Sequence, residues 1–127
     1  MGLINALNQG EVCFYLPDQD YGRTKCEFAP LFAVPQVATT TGSILFAQQA
    51  NCETLFMVSI RTVTGYKIKV LPGLENFPSG DANYDVRRIN QMIEKMILMA
   101  PEQYLWMHKR FKTRPDPQDT SLYDKLS

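Results

Sequence analysis

"TLFMVSIRTVTGYKIKVL", Thr54 to Leu71, decides the fold class. Two apolar runs flank Gly65, and in the second Lys67 and Lys69 alternate with apolar neighbours, the period of a strand. The pair reads as two antiparallel strands turning at Gly65. Downstream, "PGLENFPSGD" (72–81) is a connecting loop whose last residue, Asp81, begins a long helix. Ile89, Met92, Ile93, Met96, Ile97 and Ala100 follow at three-four spacing, which makes one apolar stripe. Pro101 then opens a new short helix, because proline suits a first turn and breaks an interior.

Upstream of the strand pair, Leu3, Ile4, Ala6 and Leu7 read as the end of a helix stopped near Gly10. "EVCFYLP" (11–17) is a compact apolar run ended by proline, and predicts a buried strand over Val12–Leu16. "DQDYGRTK" (18–25) is then an exposed loop at that strand's end. "FAPLFAVPQV" (28–37) has prolines at 30 and 35 and is too apolar for an ordinary loop. It reads as an irregular segment lying on the protein or lining an apolar groove. Thr39, Thr40 and Thr41 supply capping hydroxyls for a helix over "GSILFAQQAN" (42–51). The order strand, helix, strand, strand, helix predicts an α/β unit over residues 1–115, with a polar, frayed tail over 116–127. Three strands are thin for independent stability, and the abrupt start reads as the later part of a larger domain.

Composition narrows the function. Thirteen basic and thirteen acidic side chains cancel, so no global field draws the chain to nucleic acid or membrane. Nucleic-acid binding would need more positive charge or a recognisable motif. Three cysteines without a C-x-x-C pair, beside a single histidine, make a poor zinc set and fit reduced thiols. No stretch has the eighteen apolar residues of a membrane span.

Local chemistry concentrates in "PEQYLWMHKRFKTRP" (101–115). Arg110 and Arg114 have the fork that grips phosphate, with Lys109 and Lys112 as point charges, and Tyr104, Trp106 and Phe111 suit a headgroup layer. Alternatively, Trp106 and Phe111 pack in the core while the charges pair with Glu102 and helix carbonyls. Asp18, Gln19 and Asp20 follow a strand end, where α/β sheets place ligands, and Arg23 and Lys25 lie just beyond.

Three stretches together, "LPDQDYG" (16–22), "LENFPSGD" (74–81) and "APEQYLWMHKRFKTRP" (100–115), resemble the late acyltransferases of lipid A biosynthesis, the lauroyl and myristoyl transferases of Gram-negative bacteria. The resemblance runs from about Gly2 to Pro115. Within the wider lysophospholipid-acyltransferase group, Pro17 and Asp18 resemble the proline and acid of an "FPEG" loop, with Gln19 in place of its glycine. It implies the C-terminal part of a glycerolipid-acyltransferase-like mixed sheet flanked by helices. It also implies acyl transfer from acyl carrier protein to a Kdo-bearing lipid A precursor, at the cytoplasmic face of the inner membrane and without a cofactor. Asp18, Gln19, Asp20, Arg23, Arg110 and Arg114 are then the substrate-binding candidates. The family's catalytic H-x-x-x-x-D/E element is absent, because His108 is followed five positions later by Thr113. The resemblance therefore implies that a missing N-terminal half supplies the base. The competing expectation is a non-catalytic module that binds anionic lipid.

Overall fold

The fold was obtained as a computed structural model, which describes residues 2–124. Helix α1 (Gly2–Asn8) leads into strands β1 (Cys26–Leu31) and β2 (Val34–Thr40), then helix α2 (Gly42–Gln49). Strands β3 (Phe56–Arg61) and β4 (Tyr66–Leu71), helix α3 (Ala82–Met99) and a 3-10 turn (Pro101–Gln103) follow. No described helix is long and apolar enough to cross a membrane.

Helix α3 organises the molecule. Asp81 caps it by accepting the Tyr84 N–H at 3.0 Å. Its stripe buries Ile89, Ile93 and Ile97 against Leu31 and Val37 of the β1–β2 ribbon and Phe56 of β3, and Val86 against Ala29 of β1 and Ile44 of α2. Each such side chain contributes about 1.5–3 kcal/mol by leaving water. Met92 and Met96 flank the stripe and are only partly buried. "LENFPSGD" is the latch at this helix's start. Arg88 donates to the Glu75 and Asn76 carbonyls and pairs with buried Asp85, whose carboxylate also accepts the Ser79 N–H. Burial alone would raise the Asp85 pKa, but Arg88 and Ser79 outweigh it and hold the group below its ordinary value.

Strands β3 and β4 pair antiparallel from Phe56↔Leu71 to Arg61↔Tyr66, as the alternation predicts. Two other expectations are corrected. Residues 28–37 are not irregular: they form most of the β1–β2 antiparallel ribbon. The register slips between Ala29 and Leu31, so Pro30 and Pro35 sit at the irregularity, where no ladder N–H is required. Residues 12–16, read as a buried strand, join no ladder, and Val12, Phe14 and Leu16 are exposed. In place of one mixed sheet, the described residues form two separate two-stranded ribbons.

The tail also differs from a frayed end. The Tyr123 hydroxyl accepts the Phe111 N–H at 3.1 Å, and Lys109 lies over the Tyr123 ring. The last part of the tail, 125–127, lies outside the described residues.

Candidate functional site

The loop 16–22 and the stretch 100–115 meet in one polar knot, through contacts between residues 86 to 93 positions apart. Asp20 is 4% exposed and sits at its centre. Its Oδ1 accepts the Gly22 N–H and the Thr113 hydroxyl, at 2.9 and 2.8 Å, and its Oδ2 accepts the Thr113 N–H at 2.9 Å. The Asp20 N–H in turn donates to His108 Nε2 at 2.9 Å. Nε2 of this imidazole thus serves as an acceptor. The Tyr104 hydroxyl donates to the Asp18 carbonyl at 3.2 Å, and Arg23 donates to the Pro115 carbonyl at 2.8 Å. Burial first, then the nearby Asp18 carboxylate, pushes the Tyr104 pKa up to about 12, so the phenol stays a donor.

Arg110 ties the knot to the β1–β2 ribbon. It is 1% exposed, and its guanidinium donates to the Ala38 carbonyl and the Thr39 hydroxyl. Thr39 donates onward to Asn90 Oδ1 at 3.1 Å, and Asn90 donates to the Pro30 carbonyl at 3.0 Å. This buried run joins the C-terminal stretch, β2, α3 and β1. Burial lowers the Arg110 pKa, while Tyr104, Asp20 and Asp18 act in the opposite direction. Arg110, read from the sequence as a phosphate grip, has its fork on strand acceptors. Neither is it paired with Glu102 or a helix carbonyl, as the alternative supposed.

The remaining candidates are placed differently. Asp18 is half-buried and lines an apolar groove of about 400 Å³ whose walls include Leu7, Phe46, Phe56, Ile93 and Tyr104. Gln19 is half-buried beside it, and Arg23 and Lys25 are exposed. Arg114 is half-buried, and its Nε is enclosed without a hydrogen-bond partner. Trp106 turns its indole N–H onto the Pro101 carbonyl, stacks edge-on against Tyr104 at 4.9 Å, and remains 48% exposed. Leu105 and Met107 are exposed beside it, and Phe111 packs against the core.

Sequence reasoning missed Thr113, Thr39 and Asn90. The three consecutive threonines read as caps, yet Thr41 donates to the Lys25 carbonyl and makes no side-chain cap. Thr40 accepts the Gly42 N–H and bonds the Tyr15 hydroxyl. Replacing Asp20 by Asn sets an amide N–H₂ against a donor that the carboxylate now satisfies. Chemical unfolding is expected to show a loss of about 2–3 kcal/mol, against about 1 kcal/mol for Thr113→Val.

Known proteins resemble this chain over nearly its whole length. The description "bacterial lipid A biosynthesis acyltransferase" matches residues 1–113. The lipid A biosynthesis palmitoleoyltransferase of Escherichia coli K12 is 44% identical over 124 residues, covering 96% of this chain and 40% of that protein. The lauroyltransferase of the same organism is 45% identical over 117 residues, covering 91% of this chain and 38% of its own length. A lipid A biosynthesis acyltransferase of Haemophilus influenzae is 39% identical over 126 residues, covering 97% of this chain and 40% of the relative. The chain thus spans about 40% of the length of the curated relatives it matches.

Proposed function

The chain belongs to the bacterial lipid A biosynthesis acyltransferase family, and we propose that it forms the acceptor-side wall of an enzyme that moves a fatty acyl chain from acyl carrier protein to a Kdo-bearing lipid A precursor. The observation that carries this reading is the knot, which holds the loop whose Asp18 lines an apolar groove. A long acyl chain needs such an apolar wall, and a sugar hydroxyl needs polar groups at its edge.

In this reading Asp18 and Gln19 hydrogen-bond the acceptor sugar, while Arg23 and half-buried Arg114 face its phosphates. Asp20 and Arg110 hold that surface in place and do not touch substrate. The base lies outside this chain, in a glycerolipid-acyltransferase-like sheet completed by the rest of the family's length. Exposed Leu105, Trp106 and Met107, with Lys109 and Lys112, turn toward the anionic cytoplasmic face of the inner membrane, where each cation contributes about 1 kcal/mol.

The test is a chimera in which this chain replaces the matched stretch of the Escherichia coli palmitoleoyltransferase. Acyl transfer from acyl carrier protein to the precursor is expected to persist. Arg114→Gln in that chimera is expected to raise the acceptor KM about tenfold with little change in kcat, the pattern of lost binding. A folded chimera without transfer activity would contradict the reading.

A further inference from the structure

Tyr15 reaches across to the end of β2 from just before the loop that carries Asp18. Its ring meets Phe46 edge-on at 5.1 Å, and its hydroxyl shares a 2.9 Å hydrogen bond with Thr40 Oγ1, which also accepts the Gly42 N–H at 3.1 Å. Gly42, the first residue of α2, gives that hydroxyl its room. A Cβ at this position would fall 2.6 Å from Tyr15 Cζ and closer still to the hydroxyl, so something would have to shift. Alanine suits a helix better than glycine, and the glycine is explained by what crosses it. Thr41, next along, donates its N–H and its hydroxyl to the Lys25 carbonyl, each at 3.0 Å. Tyr15 and Lys25 stand on either side of the loop 16–24, so two adjacent threonines pin its two ends, while Thr113 holds Asp20 in its middle. Among the described residues no backbone N–H of 12–16 has an acceptor, which leaves the Tyr15 hydroxyl to tie this approach to the rest of the fold.

We propose that Tyr15 is a positioning residue for acceptor binding: its hydroxyl, seated over Gly42 and bonded to Thr40, sets the first half of the loop so that Asp18 is presented to the acceptor sugar. The inference rests on the reading of Asp18 as a contact to that sugar. Tyr15 and Asp18 line the same groove, and Pro17 between them has a fixed φ, so the direction of the chain at Tyr15 carries into Asp18. Removing the hydroxyl alone leaves Thr40 bonded to the Gly42 N–H and leaves a ring to pack on Phe46. The fold should therefore hardly register the loss, and what changes is where the loop begins.

The experiment has two parts. In this chain alone, Tyr15→Phe should move the amide resonances of Asp18 and Gln19, leave that of Asp20 in place and leave the melting transition unchanged. In the chimera, Asp18→Ala serves as the reference and should raise the acceptor KM about tenfold, the mark of lost binding. Tyr15→Phe and Thr40→Val should each raise it about fivefold with kcat within about twofold of the parent. Thr40→Ser, which keeps the hydroxyl, should match the parent, and Gly42→Ala, whose methyl displaces the ring, should reproduce the rise. Should the chimera turn nothing over, its Kd for the precursor is read in place of KM. Amides of Asp18 and Gln19 that stay in place would overturn the proposal. So would a parent-like KM in Tyr15→Phe while Asp18→Ala raises it, a result that spares the reading of Asp18. A parent-like KM in Asp18→Ala would overturn both. A lowered melting temperature and kcat in Tyr15→Phe, at unchanged KM, would make Tyr15 structural only.

Discussion

The 127-residue chain alone is expected to transfer no acyl group from acyl carrier protein to a lipid A precursor. Its single histidine is His108, whose Nε2 accepts the Asp20 N–H at 2.9 Å. The lone pair that would take a proton from the acceptor hydroxyl is therefore already engaged. Five positions on, Thr113 stands where an orienting acid would be needed, and its hydroxyl is spent on Asp20. General acid–base help is worth roughly 10²–10⁴ in rate, and losing the reactant positioning supplied by the rest of the family's length removes more. The measurement is product formation by the purified chain against an equal amount of the chimera. Turnover by the chain alone would return His108 to the role of base.

Arg110→Ala is expected to cost about 3 kcal/mol or more in a urea melt. The substitution strips two buried acceptors, the Ala38 carbonyl and the Thr39 hydroxyl, of a charged donor and leaves a cavity beneath the ribbon. Arg110→Lys keeps the charge but not the fork, so it should recover only part of the loss. Arg110→Met removes the cost of burying a charge and should fall between them. A double-mutant cycle with Thr39→Val should show coupling of about 1 kcal/mol, since the two side chains are bonded. An Arg110→Ala variant as stable as the parent, with weakened binding of the precursor, would make Arg110 a ligand after all.

The elements that the sequence made legible are those settled by local pattern. The α3 stripe and the alternation around Gly65 each carry their period within a few residues, and both elements stand where they were read. The β1–β2 ribbon was hidden because Pro30 and Pro35 argue locally against a strand, whereas their tolerance depends on a register slip between two strands. Arg110 was hidden for a longer-range reason. Its partners lie 72 and 71 residues away, so its neighbours in sequence say only that it is one cation among four. Asp20 stands between these cases. The resemblance drew attention to the loop, but not to the division of labour by which Asp20 anchors it while Asp18 lines the groove. The strand expected over Val12–Leu16 shows how periodicity reports what a segment is suited to pair with, while a ladder also requires the neighbour.

The central claim is that this chain contributes scaffold and groove wall while the base lies elsewhere in the enzyme. His108→Gln in the chimera tests it most directly. A glutamine carbonyl can still accept the Asp20 N–H, so the knot survives while any imidazole chemistry is lost. If His108 is structural, kcat stays within about threefold of the parent chimera, a change of well under 1 kcal/mol in the barrier. A loss of roughly 10²–10⁴ in kcat, in a variant that melts like its parent, would make His108 the general base and contradict the claim.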